Sequence, residues 1–286
     1  MTRALVVGSV NVDLVVRVRE LPRPGATVLG SAATRVPGGK GGNQAAALAT
    51  LGASTALCAA VGDDADGHWS LAQLRNVGVA TDLVWLTGQA PTGLAMIAVD
   101  DRGENQIVVA RGANAHCRPP AEVNADVLVC QLEIPLDTVR VSLDRARAAG
   151  ARTVLNAAPP RSIGADLWPL VDLLVVNENE AAAYPRTAGV GATVVTLGAA
   201  GARVCVGEDH EVTVAAPDVE VVDATGAGDC FTAAAALALA EGADPVEATR
   251  FAVAAAALSV QAAGARGGLP TRDQVDQARL RIHESS

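Results

Sequence analysis

The chain has 286 residues and a formal net charge of −9; half of it is apolar, yet it holds only two Phe, one Tyr and three Trp. That length buries a large core, in one big domain or two small ones, and the core must be built from Ala, Val and Leu. With no basic tail or stripe a nucleic-acid partner is not expected, because phosphate-backbone binding needs clustered Lys and Arg, and no apolar run approaches the roughly 18–20 residues that cross a membrane.

The opening MTRALVVGSVNVD is too briefly apolar for a signal peptide. Five cysteines show neither CxxC nor zinc-like spacing to the four histidines, which fits reduced thiols and predicts a cytoplasmic protein. Residues 4–10, ALVVGSV, predict a short buried strand. Residues 12–37 alternate in short runs broken by LPRPG and predict antiparallel strands. A helix runs from about Gly42 to a stop at Gly52. STALCAAVG then predicts a strand, followed by a helix ending near Gly78. Residues 92–112 predict a hairpin turning at DDRGEN.

From about residue 125 the rhythm is strand, loop, helix. Strand 126–131 precedes helix 135–149, strand 152–158 a loop, and strand 172–177 the stretch ENEAAAY. Strand 192–198 is followed by β-like residues to about 214, and helices are predicted at 227–241, 244–261 and 271–282. Such alternation indicates an α/β fold, doubly wound, with a mainly parallel sheet flanked by helices. Segments 12–37 and 92–112 break the rhythm. They are expected to form a small sheet standing off one α/β body that spans 1–286.

In open α/β sheets, ligands bind beyond the carboxyl ends of the strands. The strands here end in polar groups: Asn11 and Asp13, Glu133 of QLE, Asn156, Asn177, and Thr196 with Gly198. Each taken singly reads better as a helix cap; several on one edge read as a ligand crevice. VVDATGAGDCF, residues 221–231, is the strongest motif. A strand-like run stops, the small residues Gly226, Ala227 and Gly228 follow, and Asp229 sits where a long helix begins. Unhindered backbone N–H groups at a helix start form an anion hole, and Asp229 beside it would take a proton from a hydroxyl attacking a phosphoryl group. An N-cap after a tight turn accounts for the same residues, and the motif alone leaves the two readings level. GDDADG, residues 62–67, lacks the acidic ladder and distal Glu of a calcium loop and reads as a solvated loop. Among the 22 basic residues Lys40 is the only lysine, set between two glycine pairs in PGGKGGNQ.

In order along nearly the whole chain, VVGSVNVD, PGGKGGNQA, VGDDADG, RGANA, QLEIP, NENE, TLGAAG, DATGAGDCF and AAAALSVQAAGA resemble the ribokinase-like (phosphofructokinase-B type) family of sugar and nucleoside kinases. The resemblance implies a Rossmann-like body with a small β-sheet lid that pairs two subunits into a homodimer. It implies that Asn11 and Asp13 hold sugar hydroxyls, with Gly39, Lys40, Asn43 and Glu133 lining the same pocket. Asp229 would be the catalytic base beside a Gly226, Ala227 and Gly228 anion hole. Asn177 and Glu180 would organise Mg²⁺ through water, and Thr196 and Gly198 would open the ATP cleft. Asp223 and Thr225 would hold a monovalent cation, usually K⁺.

The implied reaction moves the γ-phosphoryl of ATP to a primary sugar hydroxyl, O5 of D-ribose in the ribokinase branch toward which NVD, GGKGGNQ, RGAN and QLEIP lean. Fructose, deoxyribose or a nucleoside are alternative substrates, and an inactive sugar-binding or regulatory protein is a different kind of alternative. The lid segments contain no Phe, Tyr or Trp to stack on a base, which favours a small polar sugar. Three departures stand out. The stretch 181–191 is short by about a helix. Gly268 stands where a hydroxyl residue often completes the cation site. Cys230 follows the base, as an activated thiol at a helix start or as a small packed residue.

Overall fold

Residues Arg3–Val7 form β1, whose last four side chains are all buried, as a strand covered on both faces of a parallel sheet requires. In this computed structural model, which describes residues 1–185, 187–207 and 210–284, β2 (Asn11–Arg17) and β3 (Thr34–Gly38) follow as an antiparallel pair. Next come α1 (Lys40–Thr50), β4 (Ser54–Gly62) and α2 (Ala65–Asn76), the last capped by the Asp64 side chain accepting from the Gly67 amide. After β5 (Val84–Thr87), strands β6 (Gly93–Val99) and β7 (Asn105–Ala110) form the predicted hairpin.

The second half runs β8 (Val127–Gln131), α3 (Leu136–Ala148), β9 (Arg152–Asn156), β10 (Leu173–Asn177), α4 (Glu178–Ala183) and β11 (Ala192–Thr196). It continues with β12 (Ala202–Val206) and β13 (His210–Val214) and closes with α5 (Ala227–Ala240), α6 (Pro245–Ser259) and α7 (Arg272–Glu284).

The main sheet has nine strands in the order β13-β12-β11-β10-β9-β8-β1-β4-β5. All neighbours are parallel except β11–β12 and β12–β13. A second sheet has the order β3-β2-β6-β7. Its two hairpins join through a parallel pairing, with Asn11 opposite Gly93 and Arg17 opposite Val99; alternation within each segment carries no trace of that junction.

One strand is unforeseen and one expectation changes. β5 is a four-residue edge strand, too short to show a period. The run before the GAGD motif is not a strand, because no neighbour pairs with it. Val221 and Val222 are exposed, and the amides of Val222 and Asp223 both donate to the Val260 carbonyl, at 2.8 and 3.1 Å. In the shortened stretch 181–191 the chain turns from α4 into β11; Arg186 lies outside the described residues.

Helix α5 explains how the core is filled with so few aromatics. It packs against α1, α6, β8 and β9, and Ala233 through Ala236 are completely buried. Alanine surfaces let helices pack at the short end of the usual axis separation. The start of α5 is thereby fixed against the ends of the central strands. No helix among the described residues is long and apolar enough to cross a membrane.

Candidate active site

Asp229 lies in the first turn of α5, but it does not cap the helix. The N-cap is Gly226, at φ 79°, with no side-chain cap bond. The first helical bond runs from the Cys230 amide to the Gly226 carbonyl, at 2.9 Å, and the Ala227 amide is turned to the Ala224 carbonyl, at 3.2 Å. Ala227 therefore drops out of the expected anion hole. The amides of Gly226, Gly228 and Asp229 keep no partner among the described residues.

The Asp229 carboxylate is buried and receives two side-chain donors. Asn43 Nδ2 donates to Oδ2 at 3.0 Å, and Gln44 Nε2 donates to Oδ1 at 2.9 Å. Gln44 also donates to Asn156 Oδ1 at 3.1 Å and accepts from Gln131 Nε2 at 2.6 Å. Gln44 is the hub of this buried chain, and no sequence expectation includes it; its only signal is its place beside Asn43 in GGNQ.

The glycines around Lys40 bring α1 onto the loop that follows β1. A Cβ on Gly39, at φ 84°, would lie 2.6 Å from the Asn11 nitrogen, and one on Gly38 would meet the Asp13 carboxylate. The Lys40 amide donates to Glu133 Oε2 at 3.1 Å, and the Ser9 hydroxyl donates to the same oxygen. Burial pushes the Lys40 pKa down, but the carboxylates of Asp229, Glu133 and Glu180 outweigh it and the net shift is upward. The lysine therefore stays charged at the junction of the strand ends.

Asn11 and Asp13 sit at the root of the second sheet. Asn114 Nδ2 donates to Asn11 Oδ1 at 2.7 Å. Asp13 Oδ1 is buried without a partner. Burial first, then the charges of Glu133 and Asp229, raise the Asp13 pKa to about 6, with Arg266 pulling against them. A cavity of about 470 Å³ opens on Asn11 and Glu133, with Val109, Arg111 and Arg161 on its rim. A second, of about 410 Å³, is bounded by Lys40, Asn177, Glu180, Thr196, Gly198 and Asp229. Lys40, whose amide holds Glu133, stands between them.

For Asn177 and Glu180 the capping reading is correct as local structure. Asn177 Oδ1 accepts from the Glu180 amide at 2.8 Å, and Glu180 Oε2 accepts from the Asn177 amide at 2.9 Å. Glu178, Glu180 and Asp229 line the 410 Å³ cavity with the oxygen type that Mg²⁺ takes, but among the described residues no three acidic, His or Cys side chains converge closely enough to hold a metal ion by themselves.

The potassium site fits less well. Asp223 Oδ1 accepts from the Thr225 amide at 2.9 Å and Oδ2 from the Gly264 amide at 2.8 Å. Burial alone would raise the Asp223 pKa, but these bonds outweigh it and lower the value. A Cβ at Gly268 would run into the Ser259 carbonyl, so this backbone has no room for a hydroxyl side chain there. The activated-thiol reading of Cys230 is overturned. Its thiol is fully buried, donates to the Ala255 carbonyl at 3.6 Å, and burial pushes its pKa up to about 12.

Arg266, two residues before Gly268 in GARGGLP, is given no role in the sequence, yet it reaches the site. Its Nε donates to Asn43 Oδ1 at 2.9 Å, and an Nη to the Gly38 carbonyl at 3.4 Å.

A family description, pfkB family carbohydrate kinase, matches residues 1–272. The chain is 39% identical to the ribokinase of Bacillus subtilis, over 97% of this chain and 99% of the relative. Among solved structures it is similar to the Thermotoga maritima ribokinase, with a TM-score of 0.86 and 30% identity over 98% of this chain and 100% of that one. Arabidopsis thaliana ribokinase, solved with ribose and ATP, gives a TM-score of 0.86 and 31% identity over 97% of this chain and 98% of that one.

Proposed function

The chain belongs to the pfkB carbohydrate kinase family, and from that premise we propose that it is an ATP-dependent ribokinase, moving the γ-phosphoryl of ATP to O5 of D-ribose. One observation carries the reading: Asp229 is buried at the start of α5, held by two side-chain donors, next to unclaimed backbone amides. The similarity to ribokinases along nearly the whole chain, one of them solved with ribose and ATP, supports the choice of substrate.

The sugar lies against Asn11 and Glu133, which line the 470 Å³ cavity, and against Asp13, Gly39 and Asn43, which do not line it. ATP extends its phosphates into the 410 Å³ cavity from Thr196 and Gly198. Asp229 takes the proton of the attacking hydroxyl. The amides of Gly226, Gly228 and Asp229, with the Lys40 ammonium, receive the charge on the phosphoryl group in transit. Asn177 and Glu180 would hold Mg²⁺, which when bound would supply charge neutralisation of the phosphates. Asp223 and the Thr225 carbonyl would hold a monovalent cation without help from a hydroxyl at position 268, since each Asp223 oxygen keeps a lone pair beside its amide bond. The second sheet acts as the lid and, through its exposed β6–β7 hairpin, as the contact to a second copy.

The test is ADP release over ribose, deoxyribose, fructose and nucleosides. Ribose should give the highest kcat/KM, and Asp229→Asn should lose on the order of 10²–10⁴ in rate. Wild-type turnover by Asp229→Asn overturns the assignment of the base; a nucleoside preferred over ribose overturns the substrate.

A further inference from the structure

Arg266 sits in the loop between α6 and α7, and that loop is anchored on two sides. The Gly264 amide donates to Asp223 Oδ2 at 2.8 Å. Ala265 packs so closely on Gly226 that a Cβ there would come within 2.7 Å of its backbone. The Arg266 guanidinium is thereby laid over α1, where a Cβ on Gly42 would lie 2.6 Å from its Nη2. Burial lowers the Arg266 pKa to about 10 while the charges of Asp229 and Asp13 oppose the drop, so the group stays cationic at neutral pH.

The chemistry of the contact fixes the neighbouring amide. Guanidinium N–H groups only donate, so the Asn43 atom facing Nε at 2.9 Å must be its oxygen. The other end of the amide is then its NH₂, which faces the carboxylate of Asp229, an acceptor, at 3.0 Å. Turned by 180°, the amide would set an oxygen against Asp229 and remove one of its two side-chain donors. The second contact, to the Gly38 carbonyl at 3.4 Å, ties the same guanidinium to the end of β3, where the second sheet meets the body.

We propose that Arg266 is a positioning residue for phosphoryl transfer, acting on Asp229 by locking the orientation of the Asn43 amide. This rests on the reading of Asp229 as the base. No motif that points to the reaction contains Arg266: it lies 37 positions after the base, in a glycine-rich turn, and only the fold brings it to α1.

A double-mutant cycle tests it, with wild type, Arg266→Met, Asn43→Ala and the double variant assayed for kcat and for KM of ribose and ATP. Arg266→Met keeps the stem and removes every donor. It should lower kcat on the order of 10²-fold, the size expected when a reacting group is misplaced by about 1 Å. ATP affinity by calorimetry should stay within about two-fold of wild type, which also reports an intact fold. The double variant should be no slower than the slower single one, because both changes break the same linkage. Multiplying effects overturn the proposal, as does a change confined to KM of ribose with kcat kept, which would make Arg266 a wall of the sugar pocket. Asp229→Asn run alongside separates the two levels. If it is inactive while Arg266→Met turns over normally, only this proposal fails; if it turns over normally, the reading of the base fails.

Discussion

Asp13 shows how a single residue records what the pocket is for. Its Oδ1 is buried with no partner, and its pKa is raised to about 6 by burial and by Glu133 and Asp229, against the pull of Arg266. A carboxyl whose pKa is raised on folding is a penalty at neutral pH; the penalty begins to lift as pH falls below about 6 and is gone only below the ordinary value of 3.8. Ligand binding has the opposite sign. A sugar hydroxyl donating to Oδ1 favours the ionised form, so bound sugar drives the proton off. KM for ribose should therefore rise as pH falls through about 6, while KM for ATP stays level over the same range. Steady-state kinetics at saturating ATP measure this, and Asp13→Asn should bind weakly with no such dependence. A flat ribose KM in the wild type would remove Asp13 from the sugar contact. Asn11, Asp13, Glu133 and Asp229 are visible in the sequence as polar residues after apolar runs or before a helix, and Lys40 and Asn43 through the resemblance of PGGKGGNQ to the family motif. Gln44 and Arg266 are not, since a glutamine inside a helix and an arginine in a turn look like ordinary surface until tertiary contacts bury them.

Among the elements, α1 depends most on the glycine that starts it. Gly39 combines φ 84° with a close approach to the backbone of Val10 and Asn11, whereas Gly52, just past the end of α1, has φ 95° and open space within 4 Å of where a Cβ would stand. Both Gly→Ala changes incur backbone strain of about 1–3 kcal/mol, but only Gly39→Ala also forces α1 away from the chain that joins β1 to β2. Urea unfolding should show Gly39→Ala losing clearly more stability than Gly52→Ala, and ribose affinity should fall only in the former. Equal losses would mean that the approach of α1 to that chain is soft. Helices such as α1, α3 and α5 and the inner strands are legible in the sequence because their apolar runs and glycine stops are local. Strand β5 and the parallel β2–β6 junction are not, because an edge strand of four residues shows no period and a register between distant strands is a tertiary property. The strand expected before the GAGD motif fails for the same reason: Val221 and Val222 have strand composition and no strand to pair with.

At the scale of the whole molecule, the second sheet is unfinished. Every residue of β7 is exposed, and Met96, Ile107, Val108 and Val109 place four large apolar side chains on one hairpin. β7 is also the sheet edge, a row of free N–H and C=O groups of the kind that proteins usually cover. A second copy of the hairpin matches it in both respects, apolar to apolar and edge to edge, and symmetry makes one patch serve both subunits. The hairpin also reaches the sugar side, because Val109 lines the 470 Å³ cavity together with Asn11 and Glu133. Pairing should then order the wall of that cavity, so assembly and sugar affinity are linked. Light scattering should give a dimer for the wild type and a monomer for Val108→Glu, which buries a charge in the contact without touching Asp229. The monomer should keep its ATP affinity and show a raised KM for ribose. A monomeric wild type, or a Val108→Glu protein that stays dimeric, would rule out the hairpin as the contact. A monomer with unchanged ribose KM would show that each subunit closes its own sugar pocket.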